Sequence, residues 1–230
     1  MTRENRIATH NWKRLFLLSF LFVFMVSGTF AHTSTAQLAN LSRTDAILIY
    51  LKLGFTHIIP LGFDHILFII SLFLLNPKLK PILLQATAFT IAHTITLGLA
   101  MYGLVNPPSY IIEPVIALSI MFVAIENIIT EKLRPTRILI VFAFGLIHGL
   151  GFANALSDLG LPQNQFFTSL ITFNVGVELG QVTVILLAWF IVGKWFSEKP
   201  WYRKRIVYPV SGVIAAIALF WTIERIFFPG

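Results

Sequence analysis

The sequence predicts an all-α protein, a polytopic transmembrane helical bundle with six spans after residue 45 and, before them, either a signal peptide or a seventh span. Three observations lead there. Of the 230 residues, 57% are hydrophobic and only 12% are charged, with a mean hydropathy of +0.81; a soluble domain carries about 25% charged residues. The apolar residues are gathered into runs long enough to cross about 30 Å of hydrocarbon. The cations fall in alternate loops, as they do in proteins oriented by a membrane.

Taken in order, residues 1–31 carry a basic start from Arg3 to Arg14, an apolar run from Leu15 to Val26, and small residues at Thr29 and Ala31. That is the pattern of a signal peptide cleaved after Ala31, or of an uncleaved first transmembrane helix. Residues 32–54 read as an external or interfacial segment, and 55–230 as the membrane bundle. Within Ala46 to Leu75, Lys52, Gly54, Pro60 and Gly62 interrupt the apolar run, so a short outer helix is expected to turn near Pro60 into a span ending at Asn76 and Pro77. Further spans are expected over Pro81 to Tyr102, Ile111 to Thr130, Thr136 to Leu156, Phe166 to Gly193 and Ile206 to Phe228, each long enough at about 1.5 Å per residue.

The loops orient these spans. Lys78 and Lys80, then Lys132, Arg134 and Arg137, then Lys194, Lys199, Arg203, Lys204 and Arg205 lie in every second connection, whereas Val105 to Tyr110 and Ser157 to Gln165 contain no cation. The basic loops are therefore expected in the cytoplasm, with the N-terminus there before any cleavage and the C-terminus outside. The formal charge of +7 is explained by this arrangement, and no nucleic-acid-binding module is visible. With no cysteine, disulfides, thiolate metal sites and a cysteine nucleophile are excluded.

Function must then lie in the few polar groups inside apolar runs: His57, Asp64, His65, His93, Glu126, Asn127, His148, Asn174, Glu178 and Gln181. A charged group at the bilayer centre costs at least about 2.5 kcal/mol, so such groups face the bundle or a water-filled pocket. His93, His148 and Glu178 each sit about 18 Å along their helices, near the midplane. Asn174 and Gln181 share the face of Glu178, one turn to either side. A pocket in the outer half, lined by His65, His93, His148 and Asn174 or Glu178, follows. His57 and His65 would stand about 12 Å apart on a straight helix, so the break at Pro60 must fold one towards the other if both serve one site. Imidazoles with carboxylates and no thiolate suit divalent nickel, cobalt, zinc or copper. Asp64 or Glu178 could ligate or orient a ring, and Asn174, Gln181 and Glu126 are candidates for the surrounding support. Glu126 and Asn127 equally suit tying helices together.

Four segments then carry a resemblance: Gly62-Phe-Asp-His-Ile-Leu-Phe68, Ala88-Phe-Thr-Ile-Ala-His-Thr94, Phe144-Gly-Leu-Ile-His-Gly-Leu-Gly-Phe-Ala153 and Phe173-Asn-Val-Gly-Val-Glu-Leu-Gly-Gln181. Together the chain resembles the HupE/UreJ family of hydrogenase and urease accessory membrane proteins, regarded as nickel or cobalt permeases. The resemblance implies a multi-pass protein of the bacterial inner (plasma) membrane, with His57, Asp64 and His65 receiving the ion. Ile58 stands where the usual permease pattern has Pro, and the His148 and Asn174 to Gln181 motifs mark a separate branch.

Three functions are compatible with these residues. The first is a permease that binds a divalent transition metal at His57, Asp64, His65, His93, His148 and Glu178. The second is an intramembrane zinc hydrolase with Asp64 or Glu178 as general base. The third is a structural or assembly subunit whose histidines bond neighbouring helices; under any of the three, a homo-oligomer or a metalloenzyme-maturation partner is compatible with the chain. The expected partners are the lipid bilayer and the metal ion.

Overall fold

A computed structural model describes residues 42–159 and 163–228, and residues 1–41, where the expected signal peptide or first span falls, lie outside the described residues. Among the described residues the secondary structure is entirely helical. Helix α1 (Arg43–Ile58) begins at Ser42, whose hydroxyl accepts from the Asp45 N–H at 3.2 Å and donates to its carboxylate at 2.6 Å. It stops where the sequence breaks. Pro60 has no N–H to donate and pushes Ile59 out of the helical region, to φ −121° and ψ 115°. Helix α2 (Phe63–Leu75) restarts after Gly62 at 65° to α1. A β-carbon at Gly62 would collide with the His57 carbonyl, so only glycine allows the turn to fold this tightly back on α1.

Helices α3 (Leu79–Met101), α4 (Ser109–Ile129) and α5 (Arg137–Leu159) follow, and a single turn at Gln163–Gln165 leads into α6 (Phe166–Ala188). Through a π-turn at Trp189–Gly193 and the short stretch Lys194–Phe196, α6 continues as one rod from Phe166 to Phe196. A second π-turn, Arg203–Val207, opens α7 (Tyr208–Phe227). Between the two rods, Tyr202 donates to the Leu74 carbonyl at 3.3 Å, and burial pushes its phenol up to about 12 despite the opposing pull of Arg203.

Large apolar side chains cover the outside, including Leu84 at 60% exposure, Leu139 at 68% and Phe220 at 61%. Water would not tolerate so much exposed hydrocarbon, and lipid requires it. Four helices are long and apolar enough to cross a membrane, five when the bent pair α1–α2 counts as one span, and α5 adds a shorter apolar stretch over Arg137–Ala153. The chain is therefore a multi-pass helical membrane protein, with up to five of the six expected spans meeting the length requirement.

The helices associate chiefly as three pairs, α1 with α6, α3 with α5 and α4 with α7, and α2 is wedged against α4 and α6. Small residues set the first two pairings, as they must where no hydrophobic effect drives helices together. Gly54 and Gly176 bring the backbones of α1 and α6 into contact, and Gly145 and Gly149 do the same for α5 against Phe89 and His93 of α3. The two Gly-x-x-x-Gly motifs thus each serve close approach to a different neighbour.

Polar ties lock the end of the bundle that carries the basic loops. Asn127, fully buried, donates to the Ser71 carbonyl at 2.8 Å and accepts from Arg137 at 3.3 Å. Arg137 is itself 1% exposed and paired with Glu126 at 3.2 Å. Arg203 donates to the carbonyls of Asn127 and Thr130 at 3.0 and 2.9 Å. Glu126 and Asn127 therefore join α4 to α2 and α5.

Candidate metal centre

Four elements each deliver one imidazole to the same region. His57 lies in the last turn of α1, His65 in the first turn of α2, His93 in the middle of α3 and His148 in the middle of α5. The bend at Pro60 does what the spacing demanded: the His57 and His65 ring centres are 4.7 Å apart. His93 stands 6.1 Å from His57 and 6.0 Å from His65. One nitrogen from each of these three rings lies within 4.8 Å of the other two. Bonds of about 2.0–2.1 Å to a tetrahedral ion put ligand nitrogens about 3.4 Å apart, so closing onto an ion asks each pair for at most about 1.4 Å. His148 adjoins this trio, its ring centre 5.1 Å from that of His65.

Aromatic rings wall the cluster on one side. Phe152 packs on His57 with ring centres 3.8 Å apart and stacks on Phe173 at 5.2 Å. Phe68 and Phe89 stand 5.3 and 5.0 Å from His148. Within this wall, four buried nitrogens have no hydrogen-bond partner among the described residues: Nε2 of His57, His65 and His93, and Nδ1 of His148. Leaving a buried polar atom unsatisfied costs about 1–3 kcal/mol each.

The opposite nitrogens of two rings are engaged. His93 Nδ1 lies 3.0 Å from Asn174 Oδ1, and His148 Nε2 lies 2.9 Å from the hydroxyl of Ser119. Ser119 escaped the sequence reading: it is the one hydroxyl in the apolar run from Ile111 to Ile125, but an uncharged serine is ordinary at helix contacts in a membrane.

A cavity of about 510 Å³ reaches the cluster, lined by His57, His65 and His148 together with Asp64, Glu113, Trp221 and Arg225. The Asp64 carboxylate in its wall is already engaged. Asp64 is paired with Arg225 at 2.8 Å, and the same guanidinium donates to the Glu113 carbonyl at 3.1 Å. Glu178 stands elsewhere: its two oxygens accept from Thr87 at 2.7 Å and Thr90 at 2.5 Å, beside a separate recess of about 280 Å³. Gln181 is buried with both amide heteroatoms unpartnered among the described residues. Of the sequence candidates, the fold thus gathers the four histidines with Asn174, leaves Asp64 at the cavity wall, and sends Glu178 and Glu126 to threonine and arginine partners.

A bundle of apolar helices that buries several imidazoles around one chamber defines a class: multi-pass membrane proteins with a polar, nitrogen-rich interior. The family model described as HupE / UreJ protein matches residues 31–225, and the chain belongs to that family. Neither a curated protein nor a solved structure matches it.

Proposed function

We propose that the protein binds a divalent transition metal ion through His57, His65, His93 and His148, and that it is a permease of the nickel or cobalt type carrying the ion inward. The observation that carries this reading is the convergence, from four helical elements, of four buried imidazole nitrogens that have no partner among the described residues. A bundle held only by hydrogen bonds between helices would pair those atoms; an ion among His57, His65 and His93, whose nitrogens lie within 4.8 Å of one another, would satisfy three of them with His148 beside it. Neutral imidazole suits nickel, cobalt or zinc rather than magnesium or calcium. Family membership favours nickel or cobalt among these.

The cavity supports delivery from one side. An octahedral ion with six waters needs about 180 Å³ at about 30 Å³ per water, well within 510 Å³. Its lining includes the loop at Leu61 and Gly62 and the far end of α7 at Trp221 and Arg225, the end of the bundle away from the basic loops. In this reading the mouth is on the outer side, the basic loops face the cytoplasm, and the site lies in the outer half of the membrane. At the mouth Arg225 offsets the charge of Asp64, and Glu113 adds a negative charge that attracts the cation.

The alternative, a zinc hydrolase, needs a carboxylate free to accept a proton from water near the ion. Asp64 is held by Arg225 and Glu178 by two threonines, which favours the permease. Elemental analysis of detergent-purified protein, paired with uptake of radioactive nickel by expressing cells, tests the reading. Wild type should retain close to one ion per chain and drive uptake, and His93→Ala and His148→Ala should lose both. Uptake unchanged in the two variants would overturn it.

A further inference from the structure

We infer that Ser119 and Asn174 are positioning residues that decide, before any ion arrives, which ring nitrogen of His148 and of His93 is left bare. The inference rests on the metal-site reading above and deepens it.

The assignment follows from what each partner can still donate. Asn174 Nδ2 donates to the Leu170 carbonyl at 2.8 Å, and a carbonyl can only accept, so that end of the amide is the NH2. The other end, Oδ1, can then only accept, and it lies 3.0 Å from His93 Nδ1. His93 must carry its proton on Nδ1, which leaves the lone pair on Nε2. For Ser119, the Ile116 carbonyl at 2.7 Å can only accept the hydroxyl proton, whereas His148 Nε2 at 2.9 Å can either donate or accept; with the proton on the carbonyl, the serine oxygen accepts from His148 and all three groups are satisfied. In that arrangement His148 carries its proton on Nε2, and its lone pair is on Nδ1.

These two bare atoms, His93 Nε2 and His148 Nδ1, are among the four buried nitrogens that lack a partner among the described residues. The satisfaction of the Asn174 amide and the Ser119 hydroxyl thus selects, on each ring, the nitrogen that has no partner among the described residues. The consequence is a mixed donor set, ε from one ring and δ from the other, each fixed by a neutral group on an adjacent helix: α6 for His93 and α4 for His148. Neutral partners suit this depth. A carboxylate in either place would orient the ring equally well but add a buried charge to a site that must also release its ion.

The test is nitrogen NMR of metal-free, detergent-solubilised protein labelled with 15N at histidine, with His93→Ala and His148→Ala used for assignment, alongside titration with nickel(II) alone. Wild type should show His93 protonated at Nδ1 and His148 at Nε2. Asn174→Leu and Ser119→Ala should release the respective ring into a mixture of tautomers and weaken nickel binding about 10- to 100-fold. Asn174→Asp and Ser119→Thr, which keep an acceptor in place, should restore the wild-type tautomer. A general loss of packing would not be rescued in this selective way. The opposite tautomer on either ring of the wild type, or unchanged tautomers and affinity in Asn174→Leu and Ser119→Ala, would overturn the inference. Should wild type bind no nickel, the metal-site reading fails, while the ring-nitrogen spectrum of the metal-free protein still decides the positioning roles.

Discussion

The substitution Gly54→Ala links helix packing to the site most directly. Gly54 faces α6 at a point where an added β-carbon would overlap the Phe173 carbonyl oxygen and come within 2.8 Å of its carbon and 3.0 Å of the Val177 nitrogen. All three are backbone atoms of a continuous helix and cannot step aside singly. Restoring ordinary contact at about 3.4 Å requires α1 to back away from α6 by at least about 0.6 Å, and further to clear the oxygen. His57 is three residues along α1, so its ring moves with the helix. Overpacking of this kind costs about 1–3 kcal/mol, and a ligand set tolerates misplacement of only about 0.5 Å. Gly54→Ala should therefore lower the unfolding temperature in detergent and weaken nickel binding at least about 10-fold, as read by competition with a chelator. Gly212→Ala is the control: among the described residues nothing lies within 4 Å of its added β-carbon, so affinity and melting should match wild type. Wild-type affinity and melting in Gly54→Ala would refute the claim that backbone contact between α1 and α6 holds His57 in place.

Three further outcomes are expected. His65→Ala, which removes the ring at the centre of the cluster, should abolish retention of nickel through purification, checked by elemental analysis. Nickel affinity should fall as pH is lowered, since protons compete for the same ring nitrogens, and calorimetry in buffers of different ionisation enthalpy should detect protons released on binding near the acidic end of the range. Arg137→Leu should destabilise the bundle by about 3–5 kcal/mol, because Glu126 is left without its buried counter-charge. Glu126→Gln combined with Arg137→Leu should recover much of that loss in thermal unfolding.

Much of this architecture is legible in the chain because lipid imposes simple conditions. Apolar runs must be about 20 residues long and helical, so α3, α4, α6 and α7 appear within a few residues of their expected limits. Pro60 is legible for a similar reason, having no N–H and restricting the residue before it. The histidines stand out since polar groups in hydrocarbon are costly and hence rare. Arg137 is a different case. Its place in a basic loop suggests a solvated charge, yet it is 1% exposed and tied to Glu126 and Asn127. A local pattern of charge conveys which side of the membrane a loop occupies, not whether a neighbouring helix covers it.

Glu178 and Ser119 mark the same boundary. Sequence depth put Glu178 level with His93, but level is not adjacent: its carboxylate goes to the hydroxyls of Thr87 and Thr90. Ser119, with no charge to attract notice, supports His148 from a helix twenty-nine positions away. By itself the sequence determined that the protein lives in lipid, where its helix breaks, and which side chains carry chemistry, because each of those follows from the residue and its immediate neighbours. The tertiary structure alone decided which rings share a chamber and which acids are spent on other partners. Helices in a bilayer choose their neighbours through close backbone contact at positions such as Gly54 and Gly149, and those contacts join residues that are distant in the chain.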